Sequence, residues 1–247
     1  MGVASLSELT WTEIAAQAAA SLLAVPVGST EQHGPHLPLG TDTAIASELC
    51  RRLASQRGDV VIGPALYYTA SGEHSGFPGT LSVGNRVLRD VLVEVGRSAD
   101  AFGGVLFVSA HGGNVAALRS AVDVLIKESR LARSWSAPAP PGGDAHAGRV
   151  ETSVMLALRP DLVRGIPPAT DGCVVALGEV IGVLRRSGVR SVSANGVLGN
   201  PAASSAEVGE DILDFWEADL ARSVAGWPAA TSSAPLSETQ DTTVRRL

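Results

Sequence analysis

The chain is 247 residues long, 45% apolar and 18% charged, with 27 Gly, 14 Pro, two Cys and a formal net charge of −6. Enough aliphatic residues are present to bury a sizeable core, which excludes intrinsic disorder, and Cys50 and Cys173 cannot staple a chain of this length, which excludes a disulfide scaffold. Nineteen basic residues face 25 acidic ones, with no basic cluster beyond the pairs Arg51–Arg52, Arg185–Arg186 and Arg245–Arg246, so no nucleic-acid partner is expected.

In chain order, Ser7 precedes a helix-like segment over residues 8–20, and Ser21–Val27 reads as a buried strand ending in Gly28. Residues 42–57 have Ile45, Leu49 and Leu53 on one helical face, and Val60–Ile62 is a short strand. A helix over Asn85–Ala101, a buried strand over Gly104–Ser109 and a long helix over Asn114–Leu131 follow. Val150–Leu158 is a helix stopped by Arg159-Pro160, and residues 205–226 form a last amphipathic helix. This alternation predicts an α/β fold, a single layered domain with a mostly parallel sheet flanked by helices. The domain is expected to span 1–227, with Ser136–Gly143 a Pro-rich loop and 228–247 a polar, disordered tail. No basic stretch follows Met1 and no run of 18 apolar residues occurs, so a cytoplasmic location without a membrane span is expected.

The five histidines, His33, His36, His74, His111 and His146, all fall in Gly-rich or Pro-rich turns outside the predicted helices and strands. Two of those turns follow buried strands, and in an open parallel sheet the loops at the carboxyl ends of strands build the ligand crevice. In the first loop, Gly28–Thr43, Glu31 and His33 are two apart and share a side of an extended segment, and Asp42 stands where the next helix begins. Asp42 alone would read as a helix cap worth about 1 kcal/mol. With Glu31 and His33 nearby it reads as a ligand, because carboxylate and imidazole together suit iron, zinc or manganese.

His111-Gly112-Gly113-Asn114 places an imidazole just past the second buried strand, where glycines let backbone approach a ligand. Glu151 falls in the first turn of its helix, which suits either the helix dipole or a site. His146 sits among small residues and is a candidate proton carrier. Glu73-His74 either lines the pocket, contacts a neighbouring subunit or is merely solvated. Cys50 reads as a small core hydrophobe, and no nucleophile elbow, phosphate-binding loop or dinucleotide fingerprint occurs.

Together these motifs, Gly28-Ser29-Thr30-Glu31-Gln32-His33-Gly34-Pro35-His36-Leu37-Pro38 with Thr41-Asp42-Thr43, His111-Gly112-Gly113-Asn114 and His146-Ala147-Gly148 with Glu151-Thr152-Ser153, resemble the creatininase family of metal-dependent amidohydrolases over residues 20–225. The resemblance implies a layered α/β fold, homo-oligomers that are often hexamers, and one or two divalent transition-metal ions (Fe, Zn or Mn). It assigns Glu31, His33, Asp42 and His111 as ligands, with Asp42 bridging two ions. One position departs: where creatininase carries a Glu two residues after the third motif's His, this chain has Gly113, and Glu151 is the expected substitute.

The further stretches Ser71-Gly72-Glu73-His74, Pro141-Gly142-Gly143-Asp144 and Ser193–Gly199 resemble family members that release a modified C-terminal Val-Tyr-derived unit from a ribosomally made peptide. On that resemblance the partner is a modified peptide substrate. A metal-activated water would attack the amide, His146 would carry the proton, the Gly112-Gly113 N–H groups would face the oxyanion, and Glu73 and His74 would bind substrate. The alternatives are an amidohydrolase of the same family acting on a small cyclic amide or formamide, and a non-catalytic metal-binding assembly protein.

Overall fold

A computed structural model of the chain describes residues 3–168, 172–173 and 177–227. The expected tail, 228–247, lies outside the described residues. Five strands, β1 (Ala4–Ser5), β2 (Leu22–Val27), β3 (Val60–Ile62), β4 (Gly104–Ser109) and β5 (Ala132–Ser136), form one sheet in the order β1-β3-β2-β4-β5. Every pairing is parallel. The helices are α1 (Trp11–Ala15), α2 (Thr41–Gln56), α3 (Gly84–Ser98), α4 (Val115–Lys127), α5 (Arg149–Leu158), α6 (Leu177–Ser187) and α7 (Ala206–Ser223).

Period-2 alternation in the central strands divides the core into two. Leu22 and Ala24 of β2, with Leu106 and Val108 of β4, face α2, α5 and α7 through Ile45, Leu49, Leu53, Val154, Met155, Leu213 and Trp216. Leu23, Val25, Val27, Val105 and Phe107 face α3 and α4 through Leu88, Leu92, Leu118 and Leu125. Each fully buried aliphatic side chain contributes about 1.5–3 kcal/mol of transfer free energy, so both faces of the sheet are anchored.

Pro26 sits in a central strand, where the missing N–H would normally break the ladder. It is tolerated because β3 pairs with β2 only over Leu22–Ala24, and beyond that the Pro26 carbonyl accepts from the Leu66 N–H at 2.9 Å.

The first helix differs from expectation. Its cap is Thr10, which forms a capping box with Glu13, and the Ala-rich run breaks at Gln17 into a 3-10 turn over Ala18–Ala20. Helices α3 and α4 stop at Ser98 and Lys127, a turn earlier than their patterns extend. The segment after α4 instead becomes β5, burying Ala132 and Trp135 against β4. Among the described residues the sequence reading also missed α6 and the two-residue β1.

Candidate metal centre and active site

Strand register sets the site. Val27 of β2 pairs with Ser109 of β4, so the loops that begin at Gly28 and Ala110 leave the sheet side by side at its carboxyl edge. Asn114 ties them together: its amide donates to the Gly28 carbonyl at 2.8 Å and its oxygen accepts from the Ala70 N–H at 3.1 Å. Asn114 stands at the N-cap position of α4, but its side chain holds neighbouring loops instead of the helix. The third wall comes from α5. Asp144 accepts from the N–H groups of Arg149 and Val150 at that helix's N-terminus and from Asn200, clamping the segment that carries His146. Pro141, Gly142 and Gly143, immediately upstream, are exposed.

Every ligand expected from the sequence converges here. Three groups of donor atoms lie within 4.8 Å of one another: Glu31, His33 and His146; Glu31, Asp42 and His111; and His33, Asp42 and Glu151. The two oxygens of Asp42 face different imidazoles, Oδ1 at 3.5 Å from His33 Nε2 and Oδ2 at 3.4 Å from His111 Nδ1. Asp42 lies in the first turn of α2 but does not cap it; Gly40 is the capping position, and Asp42 Oδ2 accepts from Ser29 Oγ at 2.6 Å.

The imidazoles share a pattern. His33 Nδ1 donates to the Glu31 carbonyl at 3.1 Å, His111 Nε2 to the Ala70 carbonyl at 2.9 Å, and His146 Nε2 to the Gln32 carbonyl at 2.8 Å. With one ring nitrogen bonded in this way, the other is turned in all three toward a carboxylate of the cluster, where it can ligate once it carries no proton.

The electrostatics call for a cation. Glu31 is fully buried, and neither of its oxygens has a hydrogen-bond partner; His33 Nε2 is likewise buried and unpartnered. Such orphaned atoms cost roughly 1–3 kcal/mol each, more when charged. Burial, with the charge of Asp42 added, pushes the Glu31 carboxyl well above the usual carboxylate range. Burial, again with Asp42, raises Glu151 to about 7. Burial opposes a charge on His33, yet Asp42, Glu151 and Glu31 outweigh it and raise its pKa to about 10. Burial would also raise Asp42, but His33 and His111 hold it far below the usual range. A positive charge among buried carboxylates is thus favoured, and the donor set of neutral nitrogens and carboxylate oxygens fits a divalent transition-metal ion.

The remaining expected residues occupy distinct places. His146 joins the Glu31–His33 group, and burial holds its pKa well below the ordinary histidine value. Gly112 and Gly113 form a 3-10 turn after His111. Glu151 groups with His33 and Asp42 and can supply the carboxylate missing from the place of residue 113. The carboxylate next to that place is Glu73, whose Oε1 lies 3.6 Å from His111 Nε2 and 2.5 Å from where a Cβ on Gly113 would stand. His74 is only 4% exposed, with Nε2 at 3.3 Å from Glu31 Oε1. Sequence reasoning missed Gln32, Ser29, Asp144 and Thr152, whose hydroxyl meets His36 Nε2 at 2.8 Å. They hold site residues rather than carry a recognisable donor pattern.

The family described as "Creatininase: Creatinine amidohydrolase" matches residues 7–224. A curated relative, "Mycofactocin precursor peptide peptidase" of Mycolicibacterium smegmatis, is 46% identical over 202 residues, covering 78% of this chain and 79% of its own length. A crystal structure of creatinine amidohydrolase superposes with a TM-score of 0.72 at 26% identity, covering 91% of this chain and 98% of that one. A solved structure described as "Creatininase Mn" superposes with a TM-score of 0.71 at 27% identity and the same coverage.

Proposed function

The chain belongs to the creatininase family, and we propose that it is a metal-dependent peptidase that releases the modified C-terminal Val-Tyr-derived unit from the mycofactocin precursor peptide. As a member of this family it is a hydrolase of C–N bonds. The observation that carries the metal half of the proposal is the buried, unpartnered Glu31 carboxylate among His33, His111 and His146. Similarity at 46% identity to a relative so named supports the substrate half.

Glu31, His33, Asp42, His111 and Glu151 would hold one or two ions, with Asp42 shared between them. An ion bound there would lower the pKa of a bound water toward about 7 and would polarise the scissile carbonyl. The chain's own groups do the rest. His146 offers an unprotonated Nδ1 beside Glu31 and Glu151 and can take a proton and return it to the leaving nitrogen. The backbone N–H groups of Gly112 and Gly113, in the turn after His111, can donate to the developing oxyanion. Glu73, about one-third exposed beside His111, would meet the peptide.

The test is a mass-spectrometric assay. The modified precursor peptide, incubated with the zinc- or manganese-loaded chain, should lose its C-terminal unit, while creatinine and formylated amides remain intact. Turnover of creatinine with an intact peptide would overturn the substrate assignment.

The exposed Val87 and Val91 of α3 border an apolar cavity of about 680 Å³ lined also by Leu6, Leu66 and Phe102. This supports a homo-oligomer built on that face, and sedimentation of a Val91→Glu variant at lower mass than the parent chain is the expected result.

A further inference from the structure

Gln32 lies between two metal-site residues, is 5% exposed, and belongs to none of the donor groups. Its carboxamide is oriented without ambiguity. The Gly34 backbone N–H, 2.8 Å away, must meet an acceptor, which fixes that atom as Oε1 and the other as Nε2. Nε2 therefore donates; His74 Nδ1 lies at 2.8 Å, His146 Nε2 at 3.0 Å and the Gly196 carbonyl at 3.3 Å, and because His146 Nε2 carries the proton it gives to the Gln32 carbonyl, the two N–H groups go to His74 and Gly196. The Gln32 backbone carbonyl accepts from His146 Nε2 at 2.8 Å.

A nitrogen that accepts carries no proton. His74 must then carry its proton on Nε2, which faces Glu31 Oε1 at 3.3 Å. The contact is a dipole aimed at the carboxylate rather than a closed hydrogen bond, and it engages one oxygen of Glu31. The other, Oε2, lies 3.1 Å from His111 Nε2, but that nitrogen's proton goes to the Ala70 carbonyl, so Oε2 receives no hydrogen bond.

The stretch Ser193–Gly199, to which no chemistry has been assigned so far, supports the same device. The Gly196 carbonyl receives the second Gln32 N–H, and Gly196 adopts φ +83°, with no room for a side chain beside the Gln32 carboxamide. The Asn195 side chain holds this turn, accepting from Ser193 Oγ at 2.9 Å and from Val197 N at 3.1 Å.

We propose that Gln32 is a positioning residue: its carboxamide, seated on the Gly196 turn, locks His74 in the Nε2–H tautomer and so fixes which oxygen of Glu31 is left for a metal ion. His74 then acts through Glu31, not on the substrate. The inference rests on the metal reading of Glu31. Its tautomer half is independent of any ion.

The experiment uses the full chain, stripped with a chelator and labelled with nitrogen-15. Long-range proton–nitrogen spectra distinguish pyridine-like from pyrrole-like ring nitrogens. In the parent chain His74 should show a pyridine-like Nδ1 and a pyrrole-like Nε2. Gln32→Glu, which replaces the donor with an acceptor, should reverse that assignment, and Zn²⁺ titrated into the same samples should bind about 10–100-fold more weakly than to the parent. A pyrrole-like His74 Nδ1 in the parent chain overturns the proposal even if the variant fails to fold. So does a Gln32→Glu variant with unchanged His74 signals and unchanged zinc affinity. A parent chain that shows the expected tautomer but takes up no zinc upholds the tautomer lock and overturns the metal reading instead.

Discussion

Three imidazoles in this chain each give one nitrogen to a backbone carbonyl and turn the other toward carboxylates, and their separate roles follow from what those carboxylates share. His33 touches both Asp42 and Glu151, so His33→Ala should remove metal and turnover together, as read by elemental analysis and the peptide assay. His146→Ala should keep the metal bound through Asp42, His33 and His111 while losing about 10²–10⁴-fold in turnover. Loss of the metal as well would move His146 into the ligand set.

The pH dependence has a definite sign. Without an ion the proton on His33 is held up to a pKa of about 10 and that on Glu151 up to about 7. An incoming ion must displace them. Zinc affinity should therefore rise with pH from 6 toward 10, and loading at pH 8 should release on the order of one proton per chain into a weakly buffered solution. Affinity that is flat with pH would show that neither group is a ligand. At this scale the donors were legible because Glu, His and Asp at turn positions announce their chemistry. Gln32, Ser29 and Asn114 were not, since an amide or hydroxyl reveals its partner only once the loops are brought together.

Among the elements, α7 is the buttress that sets α5 and therefore Glu151. Leu213 is fully buried between α7 and the sheet with Val154 and Met155 of α5. Leu213→Ala should cost about 2–5 kcal/mol in urea unfolding, with the slope unchanged. Helices with strong 3.6-residue periodicity, α2, α5 and α7, were legible to within a few residues. The edge strand β5 was not. Only Ala132 and Trp135 face inward, Arg133 and Ser134 are polar, and pairing with β4 supplies the order that propensity does not. The alanine-rich first helix erred in the opposite direction. Its composition favours helix, but none of its five residues is buried, and without a packed face propensity does not sustain a longer one.

At the scale of the whole molecule, the site draws on residues from 31 to 151 in sequence and closes the carboxyl edge of the sheet. A ligand that binds only the folded chain stabilises it, by about 4.1 kcal/mol when present at 1,000 times its Kd. For a domain of this size, each kcal/mol shifts the melting temperature by roughly 2–4 °C. Chelation should thus lower the Tm by about 8–16 °C relative to a zinc-saturated sample in calorimetry, and zinc should restore it. The parallel βα order was legible because apolar strands alternate with amphipathic helices. Which loops meet was not, because strand order is a property of the sheet and not of any segment.

The Asp144 clamp has one more consequence. Since it fixes the chain at the start of α5, the exposed Pro141-Gly142-Gly143 turn is mechanically insulated from the catalytic edge. Extra residues grafted at that turn, such as an epitope or a fluorophore-bearing peptide, would be absorbed upstream of the clamp, giving the enzyme a handle that reports on its whereabouts without slowing it.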